Sequence, residues 1–312
     1  MGNLLIKGVT LEGKKKDILI EGNIISKIAD NIDVVADEIL SGENMAAIPG
    51  LYNMHTHSAM TLMRSCLEDA PLFEWLDEVW RLEKYLDDDV IYWGTKLACL
   101  EMIKCGVTCF NDMYWSVFHA AKAIDDMGMR AMIHYCLLDG GDEVKQRIQI
   151  KECEEAYEAS KGWNPRVKFG IAIHGDYTVC DENISWVVDF ANRHDLLIHT
   201  HIAETRKELD DSMSQYGISP VKRMEKMGVL SEKTIAAHCV WIDEEDIAIL
   251  GKYKVNVVHN INSNLKLASG YKFKNEELKA AGANVVFGTD GAASSNNLDI
   301  LEAMKTSAFW QK

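Results

Sequence analysis

Two hydrophobic rhythms run along this chain. Over residues 1–48 short apolar runs at 4–6, 17–20 and 24–28 alternate with charged positions, and Gly22-Asn23 joins the last two as a hairpin turn would. A small β-element is expected there. From residue 46 the rhythm changes to continuous apolar runs at 46–54, 107–111, 130–137, 167–173, 196–202, 234–238, 255–259 and 284–289, separated by stretches with helical spacing. Runs that are apolar on both faces suit covered strands, and eight of them alternating with helices predict an α/β fold, a parallel (β/α)8 TIM barrel. The expected domains are 1–48 and 49–312.

The intervening helices are legible from their ends. Asp87-Asp88-Asp89 places negative charge at a helix start, Trp93, Leu97, Leu100 and Lys104 follow at helical spacing, and Gly106 stops the run. Segments 143–161, 181–193, 243–250, 275–281 and 297–311 read the same way. The stretch 58–86 is rich in large apolar residues, among them Met60, Leu62, Met63, Leu72, Phe73, Trp75, Leu76 and Trp80. Packing against the barrel and forming a lid over its mouth are equal expectations for it.

Composition narrows the partners. At 312 residues and 47% hydrophobic, the chain can bury a large core. Its net charge of −15 and the lack of any basic cluster beyond Lys14-Lys15-Lys16 argue against a nucleic-acid partner and favour a small neutral or zwitterionic molecule. No apolar stretch has membrane-spanning length, and the N-terminus lacks the pattern of a secretory signal. Eight cysteines without a Cys-x-x-Cys pair predict reduced thiols in a cytoplasmic protein, compatible with a homo-oligomer, and speak against a cysteine metal site.

Barrel enzymes carry their chemistry where strands end, and these ends are polar in a particular way. The first run ends in His55 and His57, the fourth in His174, the fifth in His199 and His201 with Glu204 beyond, the sixth in His238, the seventh in His259-Asn260 and the eighth in Asp290. Imidazoles at period two point to the same side of a strand, so His55 and His57 could share one ion. Three neutral imidazoles and a carboxylate suit Zn2+, or instead Fe2+, Mn2+ or Ni2+, with one position left for water. The candidates are His55, His57, one of His201 and His238, and Asp290; spacing leaves that choice open. The histidine that does not bind the metal could sit beside its water. His199 lies deeper, and Glu204 is either a capping acid or a proton-transferring group.

The stretches 49–62, 199–205, 236–240, 259–267 and 288–294 resemble the amidohydrolase superfamily, and within it the 5-methylthioadenosine/S-adenosylhomocysteine deaminases, over essentially the whole chain. The resemblance implies one metal ion held by His55, His57, His201 and Asp290. It also implies that Asp290 accepts a proton from the metal's water, that His238 lies beside the hydroxide, and that Glu204 is the proton shuttle. Glu83 matches the position of a ribose-binding glutamate and His174 that of a substrate-contacting histidine. The implied activity is hydrolytic deamination of an adenosine-type nucleoside (5-methylthioadenosine, S-adenosylhomocysteine or adenosine) to the inosine analogue and ammonia. Some relatives carry an arginine after strand three suited to a substrate carboxylate. This chain has Tyr135 there, with Arg147 as the substitute candidate. Relatives also continue beyond the position of Lys312 and complete a small β-sandwich of which residues 1–48 are one portion, so the sandwich is expected to lack its C-terminal half.

Three other readings compete. A two-metal hydrolase bridged by a modified lysine needs a lysine at the mouth of strand four, where His174 stands and Lys168 is too early. Guanine, pterin, cytosine or triazine deaminases and dehalogenases share the metal constellation and differ in pocket residues. An inactive, truncated metal-binding barrel is the non-enzymatic alternative.

Overall fold

Strands that are apolar on both faces need cover on both, and alternation of strand with helix supplies it in the computed structural model, which describes residues 2–270 and 272–312. The chain divides into two units, residues 1–50 and 51–312. In the first, β1 (Asn3–Leu11), β2 (Lys14–Glu21), β3 (Ile24–Ala29) and β4 (Glu38–Ser41) form a sheet in the order β3-β2-β1-β4. The β1–β2 and β2–β3 pairs are antiparallel, while β4 lies parallel to β1. Leu5, Leu19 and Ile32 make its small core. The buried Asp17 carboxylate accepts the backbone N–H groups of Gly8 at 2.8 Å and Ile32 at 2.9 Å.

In the second unit the strands are β5 (Leu51–Thr56), β6 (Val107–Tyr114), β7 (Arg130–Leu137), β8 (Val167–Gly175), β9 (Ile198–Ile202), β10 (Thr234–His238), β11 (Asn256–His259) and β12 (Asn284–Phe287). They form one parallel sheet in sequence order, the (β/α)8 architecture expected from the chain's rhythm. Across the seam between first and last strands, Asp290 N–H donates to the His55 carbonyl at 3.0 Å.

The helices α1 (Leu72–Glu83), α2 (Asp88–Lys104), α3 (Val117–Asp126), α4 (Glu143–Ser160), α5 (Asp181–His194) and α6 (Arg206–Tyr216) follow the earlier strands. After them come α7 (Pro220–Lys226), α8 (Glu244–Lys252), α9 (Ile261–Lys266), α10 (Asn275–Ala281), α11 (Ala292–Ser295) and α12 (Ile300–Trp310). Asp87 caps α2, its side chain accepting from Val90 N–H, as the acidic run suggested. Outward strand residues such as Phe110, Ile133, Ile171, Ile173 and Val257 fill the layer between barrel and helices. All eight cysteines are unpaired. No helix of the described residues is long and apolar enough to cross a membrane.

Candidate active site

Period two brings side chains to the barrel axis, and where the strands stop those side chains converge. His55 Nε2 lies 3.3 Å from His201 Nε2 and 3.4 Å from Asp290 Oδ1, and His57 Nε2 lies 3.2 Å from the same oxygen. The tetrahedron around a zinc ion with donor arms near 2.0–2.1 Å has edges of about 3.3–3.4 Å, so these spacings fit an ion at the centre. His238 stands at the margin, its Nε2 4.0 Å from Asp290 Oδ2 and 3.5 Å from Glu204 Oε2.

Each imidazole is oriented from behind. His57 Nδ1 donates to the Met113 carbonyl at 2.7 Å and His201 Nδ1 to the His174 carbonyl at 2.6 Å. Carbonyls only accept, so both rings, when neutral, turn a bare Nε2 toward the cluster. At His238 the partner is opposite in kind: the amide nitrogen of Asn264 faces its Nδ1 at 2.9 Å. As that amide is assigned, Nδ1 accepts and the His238 proton sits on Nε2.

Burial keeps the His55 imidazole neutral, drawing it down to about 4, and holds His201 well below its usual range. Burial also opposes ionisation of Asp290, yet His55 and His57 hold it well below the usual carboxylate range. At His57 burial is outweighed by Asp290, which lifts the imidazole to about 9. The carboxylate thus attracts one positive charge, and a proton or a metal ion can supply it.

The remaining candidates divide clearly. Glu204 is 5% exposed, accepts from Ser269 Oγ at 2.9 Å, and is pushed up to about 8 by burial with Asp290 adding. It does not cap α6: Thr205 accepts from Glu208 N–H, and the Glu208 carboxylate takes the N–H groups of Ala203 at 2.6 Å and Glu204 at 2.7 Å. Glu83, at the end of α1, lines the same pocket and accepts from Tyr114 OH at 2.7 Å; burial lifts it to about 7. His174 also lines the pocket, with Nδ1 3.0 Å from Thr178 Oγ1.

One sequence-based expectation is corrected, and two polar strand residues lie outside the site. Arg147 stays away from the site; its side chain is 71% exposed on the outer face of α4, 3.8 Å from Glu143, because helical spacing turns Gln149 to the pocket instead. Tyr135 points outward to α4, its OH donating to Glu152 at 2.7 Å. His259 faces the helices, stacked on Phe273 at 4.0 Å and 3.2 Å from Ser307 Oγ.

The 58–86 stretch packs inward and also lines the pocket. Leu72, Trp75, Leu76 and Val79 are buried, and those same side chains, with Met60 and Trp80, wall the pocket. It encloses about 290 Å3, near the lower end of small-molecule sites. Sequence reading missed several supports. Asp112 accepts from Ser58 N–H at 2.6 Å and Ser58 Oγ at 2.8 Å, fixing the turn after His57, and Ser263 Oγ donates to Asp290 at 2.6 Å. Asp112 was detectable as a carboxylate continuing an apolar strand.

Fold and donor set together define a metal-dependent barrel hydrolase. The amidohydrolase family model matches residues 46–312, and the chain belongs to that family. It is 43% identical to the 5'-deoxyadenosine deaminase of Methanospirillum hungatei, over 99% of this chain and 70% of that protein. Identity to the 5-methylthioadenosine/S-adenosylhomocysteine deaminase of Thermococcus sibiricus is 42%, over 99% of this chain and 73% of that one. Among solved structures, an adenosine deaminase from Xanthomonas campestris with bound zinc superposes with a TM-score of 0.92 at 29% identity, covering 98% of this chain and 73% of that one.

Proposed function

We propose that this chain hydrolyses the exocyclic amine of an adenosine-type nucleoside, giving the inosine analogue and ammonia, with zinc held by His55, His57, His201 and Asp290. The observation that carries the reading is that His57, His201 and Asp290 of the donor cluster line one largely apolar pocket together with Glu204 and Glu83. Bound there, a divalent ion supplies a Lewis acid that lowers the pKa of a water molecule. His201 is favoured over His238 as a donor because the carbonyl behind its Nδ1 leaves Nε2 bare, 3.3 Å from His55 Nε2.

The other groups follow from their protonation. Asp290, held ionised, accepts a proton from the attacking water and passes it to the departing amine, which leaves as ammonia, while the proton of the new hydroxyl returns to Glu204. Glu204, raised by burial, is protonated at neutral pH and gives its proton to the ring nitrogen beside the amine-bearing carbon. His238 donates from Nε2 to the oxygen developing on that carbon. Glu83 accepts from the ribose hydroxyls, and His174 contacts the substrate at the opposite wall. The apolar walls from α1 suit a nucleoside whose 5' substituent is small and uncharged, such as 5'-deoxyadenosine or 5-methylthioadenosine. No guanidinium lines the pocket among the described residues, and Lys84 is its one basic side chain apart from histidine.

The test is ammonia release by the zinc-loaded chain from 5'-deoxyadenosine, 5-methylthioadenosine, adenosine, S-adenosylhomocysteine, guanine and cytosine. The first two are expected to have the highest kcat/KM. Turnover confined to guanine or cytosine would overturn the nucleoside reading.

A further inference from the structure

Beneath the donor cluster three fully buried histidines stand in contact: His55 on β5, His199 on β9 and His134 on β7. His55 Nδ1 and His199 Nε2 are 2.9 Å apart and share one proton. Where it resides decides whether His55 can bind a metal, since a neutral ring protonated on Nδ1 has a bare Nε2 and the reverse tautomer does not.

The far end of the group fixes the answer. His134 Nδ1 lies 3.1 Å from the Asp112 carbonyl oxygen, which only accepts, so the His134 proton sits on Nδ1 and its Nε2 is bare. The rings of His134 and His199 meet edge to face, centroids 4.8 Å apart at 79°. His134 Nε2 and His199 Nδ1 are both buried and have no partner. Gly170 makes room for the arrangement, because a Cβ there would stand 2.7 Å from His134 Nε2. All three rings are fully buried, which disfavours the doubly protonated cation, so each carries a single proton.

We propose that His199 and His134 are positioning residues that set the tautomer of His55. Anchored on the Asp112 carbonyl, His134 keeps a bare Nε2 in the ring that packs edge to face on His199, and the negative potential of that lone pair favours the His199 tautomer protonated on Nδ1. His199 Nε2 then accepts from His55 Nδ1, and His55 presents a lone pair at Nε2. No proton is gained or lost along the series; one backbone carbonyl selects one tautomer three rings away. The inference rests on the metal-site reading above, to which it adds two residues that touch neither metal nor substrate.

Two measurements test it. The first is zinc affinity of the metal-stripped chain by competition with a chromogenic chelator, for the wild type, His134→Phe, His199→Phe and Gly170→Ala, with circular dichroism to verify folding. His199→Phe is expected to weaken zinc binding about 10–100-fold, and His134→Phe and Gly170→Ala about 10-fold. The second is 15N NMR of the imidazoles in the wild type and His134→Phe. His199 is expected as the Nδ1–H tautomer in the wild type and shifted toward Nε2–H in the variant, a change that loss of packing alone does not produce. His199 protonated on Nε2 in the wild type, or unchanged zinc affinity in folded variants, would overturn the relay while leaving the metal site intact. Failure of the wild type to bind zinc would overturn both.

Discussion

Asn53 and Thr289 clasp the barrel across its seam: Thr289 N–H donates to Asn53 Oδ1 at 3.0 Å, and Asn53 Nδ2 donates to Thr289 Oγ1 at 2.7 Å. Both residues are buried, and each neighbours metal-site residues on its own strand end. Asn53→Ala leaves the Thr289 N–H without a partner and is expected to cost about 1–3 kcal/mol. Urea denaturation measures the loss. Zinc content should fall with it, since Asp290 follows directly; a variant as stable as the wild type would show that the clasp is dispensable.

Glu204→Gln keeps the shape and the Ser269 contact but removes the transferable proton. Zinc stoichiometry by mass spectrometry should be unchanged, while kcat falls about 100–10,000-fold. Unchanged turnover would remove Glu204 from the chemistry.

Glu83 is expected to impose a pH dependence on substrate capture. Its raised pKa, about 7, means the carboxyl is neutral below that pH and a stronger acceptor for hydroxyls above it. kcat/KM should therefore rise as pH increases through about 7, and Glu83→Gln should flatten that limb while raising KM more than it lowers kcat. A rising limb that survives the substitution assigns it to another group.

Arg147→Ala should leave KM and kcat within about twofold, because an exposed i,i+4 ion pair contributes little. Gln149→Ala should be felt. Its side chain both accepts from Leu138 N–H at 3.1 Å and donates to Leu138 O at 3.0 Å, and both residues wall the pocket. Steady-state kinetics with 5'-deoxyadenosine compares the two.

The barrel was readable because its strands are apolar on both faces, and 130–137 coincides with β7 residue for residue. Chemistry was readable because histidines end so many of those strands. Short elements escaped: α9 and α11 are too brief to display a helical period, and α3 and α7 escaped too, although Lys122, Asp125 and Asp126 mark the exposed face of α3. Arg147 was misjudged because spacing within α4, not proximity in sequence, decides what reaches the pocket. Partners such as Ser269 for Glu204 and Asn264 for His238 lie 65 and 26 residues away, and nothing local announces them. Asn53 did leave a trace, since it precedes His55 and His57 at the same period of two.

The backbone at the mouth is built against its own preferences. Ala203, His238, Cys239 and Asp290 all adopt left-handed conformations, with φ of 51°, 74°, 48° and 65°. Such conformations cost of order 1 kcal/mol each for residues with a Cβ. These four residues turn three strand ends toward one point, where the site residues gather, while the opposite rim carries none of these site residues. Selection for a more heat-resistant descendant of this chain would therefore have to leave the mouth strained and find its gains elsewhere, in the helices and the lower barrel.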